Sequence, residues 1–127
     1  MKIAIVGCRD YVNQLEFDIA LNTLFKQIDI PTWIVSGGAR GADSLARFWA
    51  RQHEMNYTEF PAQWNTKGKS AGLIRNRKII DECYKLIAFW DHKSKGTRHS
   101  IDLAREQKKL IGIYNIVKQE WEIEELE

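Results

Sequence analysis

Hydrophobic positions along the chain alternate between short unbroken runs and longer stretches spaced for helices. Ile3-Ala4-Ile5-Val6 is an apolar run stopped at Gly7, the pattern of a strand buried on both faces. From Asn13 to Ile28, Leu15, Ile19, Leu21, Leu24, Phe25 and Ile28 recur at helical spacing, with Asn13 as cap and Pro31 beyond the end. Trp33–Ser36 reads as the next strand, and 42–54 as a helix with Leu45, Phe48 and Trp49 inward. A short strand over 56–60 ends at Pro61, and 62–70, with Trp64, Asn65, Lys67, Gly68 and Lys69, reads as a polar loop. Leu73, Ile74, Arg77, Ile79, Ile80 and Cys83 give a helix over 71–83, followed by a buried strand at Lys85–Trp90. Ile101, Leu103 and Ala104 mark one face of a helix over 96–109, and Leu110–Ile116 is the last predicted strand. Residues 117–127 form an acidic tail in which Trp121, Ile123 and Leu126 fit a short terminal helix or a loose end.

Strands alternating with helices imply a parallel sheet covered on both faces, joined by right-handed crossovers. The expected fold is α/β: one Rossmann-like domain over 1–116, with five parallel strands in the order 3-2-1-4-5. Ligands of such sheets bind beyond the carboxyl ends of the strands, where the winding reverses. Three segments that directly follow strands meet at that rim: 7–11, 36–43 and 91–97.

Composition narrows this picture only slightly. A length of 127 residues suits one domain, and 44% hydrophobic with 28% charged residues is ordinary for a globular chain. The net charge of +2 lacks the basic excess that by itself marks a nucleic-acid binder. Two cysteines, Cys8 and Cys83, make neither a disulfide framework nor a metal-ligand pattern. The run after Met1-Lys2 is too short for a signal core or a membrane span, so a cytoplasmic protein without membrane association is expected. Five tryptophans in so small a domain offer apolar surface for a homo-oligomer.

The chemistry concentrates in two glycine junctions. In Ser36-Gly37-Gly38-Ala39-Arg40-Gly41-Ala42-Asp43, a strand turns through three glycines into a helix. Glycines let backbone N–H groups approach an anion, and the first helical turn adds its dipole. Asp91-His92-Lys93-Ser94-Lys95-Gly96-Thr97-Arg98 repeats the arrangement with two hydroxyls, where helix capping by Ser94 or Thr97 is the plainer explanation. Two such junctions at one rim favour an anion site. Arg9 and Arg40 would supply guanidinium forks for phosphate, and Arg77, between Ile74 and Ile80, is expected to face the pocket. Asp43 suits either a cap or a ligand contact, and Asp91 a ribose hydroxyl or a metal. His92 and His99 have no spacing that defines a metal site or a triad, and no cofactor is expected. Trp64 and Trp90 could stack on a base, although Trp90 lies in an apolar strand.

Taken in order, Gly7-Cys8-Arg9, Ser36 to Asp43, Phe60-Pro61-Ala62-Gln63-Trp64, Gly72-Leu73-Ile74-Arg75-Asn76-Arg77, Ala88-Phe89-Trp90-Asp91 and Ser94-Lys95-Gly96-Thr97 resemble the small YspA/YpsA-related branch of the SLOG superfamily. That superfamily includes LOG-type nucleoside-monophosphate phosphoribohydrolases, the single-stranded-DNA-binding DNA-processing protein A, and domains inferred to sense nucleotide-derived signals in bacterial and phage conflict systems. The resemblance implies a Rossmann-like fold that binds a nucleotide or a related phosphate. The hydrolases carry an Arg-Lys pair before their second motif, matched by Arg77-Lys78, and Gly-Thr-x-x-Glu within it. Here Gly96-Thr97-Arg98-His99-Ser100 puts Ser100 at the position of the catalytic glutamate, and Lys93-Ser94-Lys95 replaces the usual Pro-Gly-Gly opening. A serine cannot supply a carboxylate's charge to a ribosyl centre, and Asp102 lies about 200° further round a helix.

The expected function is therefore binding of a nucleotide-derived ligand, as a sensor or sequestering domain, by Arg9, Ser36, Gly37, Gly38, Arg40, Gly41, Asp43, Arg77, Asp91, Ser94, Gly96 and Thr97. Two rivals remain. One is an N-glycosidase acting on a nucleoside 5′-phosphate, in which Arg77 would take part. The other is single-stranded nucleic-acid binding, for which Lys67, Lys69, Arg75, Lys93, Lys95 and Arg98 are the basic residues near the rim.

Overall fold

The structure, a computed structural model, describes residues 1–63 and 68–124, without the side chain of Lys69. Its elements are β1 (Lys2–Gly7), α1 (Gln14–Leu24), β2 (Trp33–Ser36), α2 (Ala42–Gln52), β3 (Asn56–Glu59), a 3₁₀ turn (Gly68–Ser70), α3 (Ala71–Glu82), β4 (Lys85–Trp90), α4 (Lys95–Glu106), β5 (Leu110–Asn115) and β6 (Glu120–Ile123). They form one six-stranded sheet in the order β3-β2-β1-β4-β5-β6, parallel except for β6. The Rossmann-like α/β class and the expected order of the first five strands hold. The winding reverses between β1 and β4, which pair through Ile5 and Ile87, and both strands are buried along nearly their whole length. Two apolar layers sandwich the sheet. One packs α1 and α2 around Phe17, Leu21, Trp49 and Phe89, and the other packs α3 and α4 around Ile79, Ile80, Ile101 and Leu103.

Three local expectations are corrected. The first helix ends at Leu24 rather than continuing to Ile28, because Lys26 and Gln27 bond back to Thr23 and Leu24 in tight turns. Its buried stripe is Phe17, Ala20, Leu21 and Leu24, spaced i, i+3, i+4 and i+7, which leaves Leu15 and Ile19 exposed on the opposite side. Phe48, Leu73 and Ile74 are exposed for the same rotational reason. The tail beyond residue 116 is neither a helix nor loose where it is described, since Glu120–Ile123 pairs antiparallel with β5. Trp121 fastens it: its Nε1–H donates to the Ala20 carbonyl (3.0 Å), and its ring meets Phe89 and Tyr114 edge-on. Trp121 and Ile123, two residues apart, already had the period of a strand.

Candidate functional site

The end of β1, the segments that follow β1, β2 and β4, and residues of α2, α3 and α4 line a cavity of about 390 Å³. Gly7 allows this convergence, because a Cβ there would stand 2.5 Å from the Phe89 carbonyl and 2.6 Å from the Ala42 Cβ. Gly41 is the N-cap of α2 at φ +78°, and a Cβ on it would run into the carbonyls of Cys8 and Arg9. The Ala42 N–H donates to the Cys8 carbonyl at 3.1 Å, so the start of α2 is docked on the loop after β1. A Cβ on Gly37 would collide with the Arg75 guanidinium and the Asp43 carboxylate.

Polar side chains of this first junction bond to the junction backbone and to β3. Ser36 is fully buried, outside the cavity wall, with its Oγ accepting from the Tyr57 hydroxyl at 3.1 Å. Asp43 is 5% exposed, and its Oδ2 accepts the Ala39 N–H at 3.1 Å while Oδ1 has no partner. Burial pushes its carboxyl up to about 6; Glu59 adds to this, while the Ala39 and Gly37 N–H groups and the Arg75 charge oppose it. Gly38, at φ +73°, is exposed beside the Glu59 carboxylate.

The second junction is organised differently. Asp91, expected to meet a ribose hydroxyl or a metal, instead braces the loop: Oδ1 accepts from the Lys93 and Ser94 N–H groups, each at 2.8 Å, and Oδ2 from Ser94 Oγ at 3.1 Å. Burial raises its pKa, but these bonds outweigh burial and hold the carboxyl below its ordinary range. Ser94 is the N-cap of α4 yet gives it no side-chain bond, because its Oγ is turned to Asp91 and to Cys8 Sγ, 3.3 Å away. The first-turn N–H groups of α4 thus lack the usual side-chain acceptor. Gly96 sits in that turn with no protein atom within 4 Å of where a Cβ would be, so the fold itself does not require glycine there. Thr97 and Ser100, 6% and 2% exposed, line the cavity, and neither hydroxyl has a hydrogen-bond partner among the described residues.

Guanidinium groups close the cavity. Arg9 and Arg40 stand exposed at its mouth and make no ion pair with a described residue. Arg77, expected in the pocket, is exposed and lies outside the cavity wall; Arg75 and Asn76 occupy that place. Asn76 is three and four residues before Ile79 and Ile80, on their buried face, and Arg77 lies roughly 100° away from it. Arg75 Nη1 donates to the Gly37 carbonyl (3.0 Å) and Nε to Asn76 Oδ1 (2.9 Å). Asn76 Nδ2 in turn donates to the Gly96 carbonyl (3.3 Å) and to His99 Nδ1 (3.2 Å). This relay ties the two glycine junctions together. The spacing of Asn76 to Ile79 and Ile80 was the available signal for it, obscured by the equally apolar Leu73 and Ile74.

The other named residues lie nearby or elsewhere. Cys8 is buried in the cavity wall, and burial raises its thiol pKa, which disfavours the thiolate. Trp90 is half-buried, stacked on His92, with Nε1–H donating to the Ser94 carbonyl at 3.0 Å. His92 Nε2 lies 3.3 Å from Glu122 on β6. Among the described residues, no group of three or more His, Cys, Asp or Glu side chains could hold a metal, and no helix is long and apolar enough to cross a membrane. Trp64, Lys67 and the side chain of Lys69 lie outside the described residues.

Comparison with known proteins matches residues 1–66 to the model of the YspA, cpYpsA-related SLOG family. The Gene 61 protein of Mycobacterium phage D29 is 41% identical over 85 residues, covering 60% of this chain and 63% of that protein. Among solved structures, DNA processing protein A from Helicobacter pylori, reported for its single-stranded DNA binding mode, is similar with a TM-score of 0.59 and 24% identity. The similarity covers 87% of this chain and 63% of that one. The chain thus spans under two thirds of the length of each of these relatives. With a family model that matches more than half of its residues, the first glycine junction among them, the chain belongs to the YspA, cpYpsA-related SLOG family.

Proposed function

We propose that the carboxyl rim binds a nucleotide or nucleotide-derived phosphate and holds it, as a sensing or sequestering domain, without cleaving it. The observation that carries this reading is that Thr97 and Ser100, whose hydroxyls bond to no described residue, line a cavity that Arg9, Arg40 and Arg75 also line. Phosphate oxygens would accept from both hydroxyls, from the first-turn N–H groups of α4 and from the arginines. Retention without cleavage is favoured by Ser100 at the place of the hydrolase glutamate. Asp102, the next carboxylate along α4, is exposed and 3.9 Å from Arg98.

Calorimetry with a panel of 5′-mononucleotides is expected to give saturable binding that Arg9→Ala weakens about tenfold. Folded protein that binds none of the panel contradicts the reading. Chromatography of the same mixtures is expected to show no free base, and base release would establish the N-glycosidase instead.

Single-stranded nucleic acid is the second reading. It is favoured by the likeness to DNA processing protein A and by exposed Lys93, Lys95 and Arg98 beside Arg9 and Arg40. Mobility shifts that weaken steeply with salt would support it. The exposed apolar residues Val12, Leu15 and Ile19 fit an association of copies, which sedimentation tests.

A further inference from the structure

Asp43 lines the same cavity as Arg9, Arg40 and Arg75 and is only 5% exposed. Its Oδ2 accepts the Ala39 N–H at 3.1 Å, while Oδ1 is buried and bonds to no described residue. An ionised carboxylate needs acceptor sites filled on both oxygens once water is excluded, so this setting suits the charged form poorly. Charged groups approach it from several elements. Arg75 on α3 stands close, since a Cβ on Gly37 would lie 2.4 Å from its Nη1 and 2.8 Å from Asp43 Oδ2. The bonds of Arg75 nevertheless run to the Gly37 carbonyl and to Asn76, not to the carboxylate. Glu59 on β3 opposes the Asp43 charge and lies 3.6 Å from Arg47 on α2. The Tyr57 hydroxyl, also on β3, lies 3.0 Å from Glu59 Oε1 and 3.1 Å from Ser36 Oγ. Arg9 and Asp10, in the loop after β1, and Arg40, in the glycine turn, stand exposed at the cavity mouth, where solvent screens them.

From this arrangement we infer that the domain takes up a proton at Asp43 when it binds a phosphate ligand. The inference rests on the nucleotide-binding reading above and adds a coupling to it. A phosphate in the cavity brings negative charge beside a buried carboxylate and draws on the Arg75 charge that offsets it. Both effects disfavour the ionised form, so a proton passes from solvent to Asp43 as the ligand enters. The free protein is already poised for this, because burial holds the carboxyl at about 6. Linkage makes the effect reciprocal: protonating Asp43 tightens the ligand by the same factor by which the ligand favours the protonated acid. Through Asp43, the domain holds its ligand more firmly as the medium becomes acidic.

Two measurements on the full chain test this coupling. In the first, ¹³C NMR follows the Asp43 side-chain carboxyl across pH, without ligand and with saturating AMP. The midpoint is expected to rise with AMP by about one pH unit, equivalent to a roughly tenfold preference of AMP for the protonated protein. A midpoint that stays or falls overturns the inference and leaves the parent reading intact, whereas absence of AMP binding at every pH overturns both. The phosphate of AMP also titrates near this range, so the second measurement compares the parent with Asp43→Asn, for which that contribution is common. The asparagine is neutral throughout, and calorimetry is expected to show it binding AMP about tenfold more tightly than the parent at about pH 8 and equally at about pH 5. A folded variant that binds no more tightly at the higher pH overturns the inference. If the variant fails to fold, the carboxyl titration decides alone.

Discussion

At the first junction Gly37 and Gly41 are glycines because other parts of the protein occupy the space a Cβ needs, whereas at the second Gly96 faces open space. The contrast extends to the polar groups. Ser36 bonds to Tyr57 on β3 and Asp43 to the Ala39 N–H, while the Thr97 and Ser100 hydroxyls line the cavity without a bond to a described residue. One junction thus sets where α2 begins, and the other is the surface we propose for the ligand. Similar glycine spacing in a sequence can serve either end.

Replacing the two kinds of glycine should break the comparison most visibly. Gly41→Ala meets both a left-handed φ and two carbonyls, and is expected to lose on the order of 4 kcal/mol in denaturant unfolding. Asp43→Asn comes next and acts through pH. The folded carboxyl titrates at about 6, above its ordinary 3.8, so the fold favours the protonated form. Its contribution is full below pH 3.8 and is lost as pH rises through 6, by up to roughly 3 kcal/mol. The asparagine keeps an acceptor for the Ala39 N–H without the charge. Its stability relative to the parent should therefore climb between pH 4 and 6.5, as unfolding curves at each pH would show, and parallel pH profiles would refute the assignment.

Smaller effects are expected at the relay and at the open glycine. Asn76→Ala removes buried bonds to Gly96 and His99 and should cost about 2 kcal/mol in the same assay. Gly96→Ala should stabilise the helix by about 0.5–1 kcal/mol while weakening mononucleotide binding about tenfold, since the methyl enters the space reserved for phosphate. A stable variant with unchanged affinity would remove the distinction between the junctions.

Much of the fold was legible because a parallel sheet announces itself in unbroken runs such as Ile3–Val6 and Leu86–Phe89, each closed by a rim loop. The β6 strand was not, since four residues with apolar positions only at Trp121 and Ile123 carry too few positions to separate a strand from a helix. The glycine junctions could be placed at one rim from their positions after strands. Which of their side chains turn inward could not, because that depends on helix rotation. Leu73 and Ile74 drew α3 toward an orientation that favoured Arg77, whereas packing of Ile79 and Ile80 turns Asn76 inward and Arg75 beside it. Similarly, only the fold reveals that Ser94 is turned to Asp91 and Cys8 rather than capping its helix.

The central claim, that the second junction receives the ligand, is tested most directly by titrating ¹⁵N-labelled protein with AMP at low salt and following each backbone amide. The largest saturable shifts are expected at Gly96, Thr97 and Ser100, with smaller ones at Arg9 and Arg40. Shifts confined to the opposite end of the sheet, around Tyr84 and Lys85, or no shifts at millimolar AMP, would contradict it.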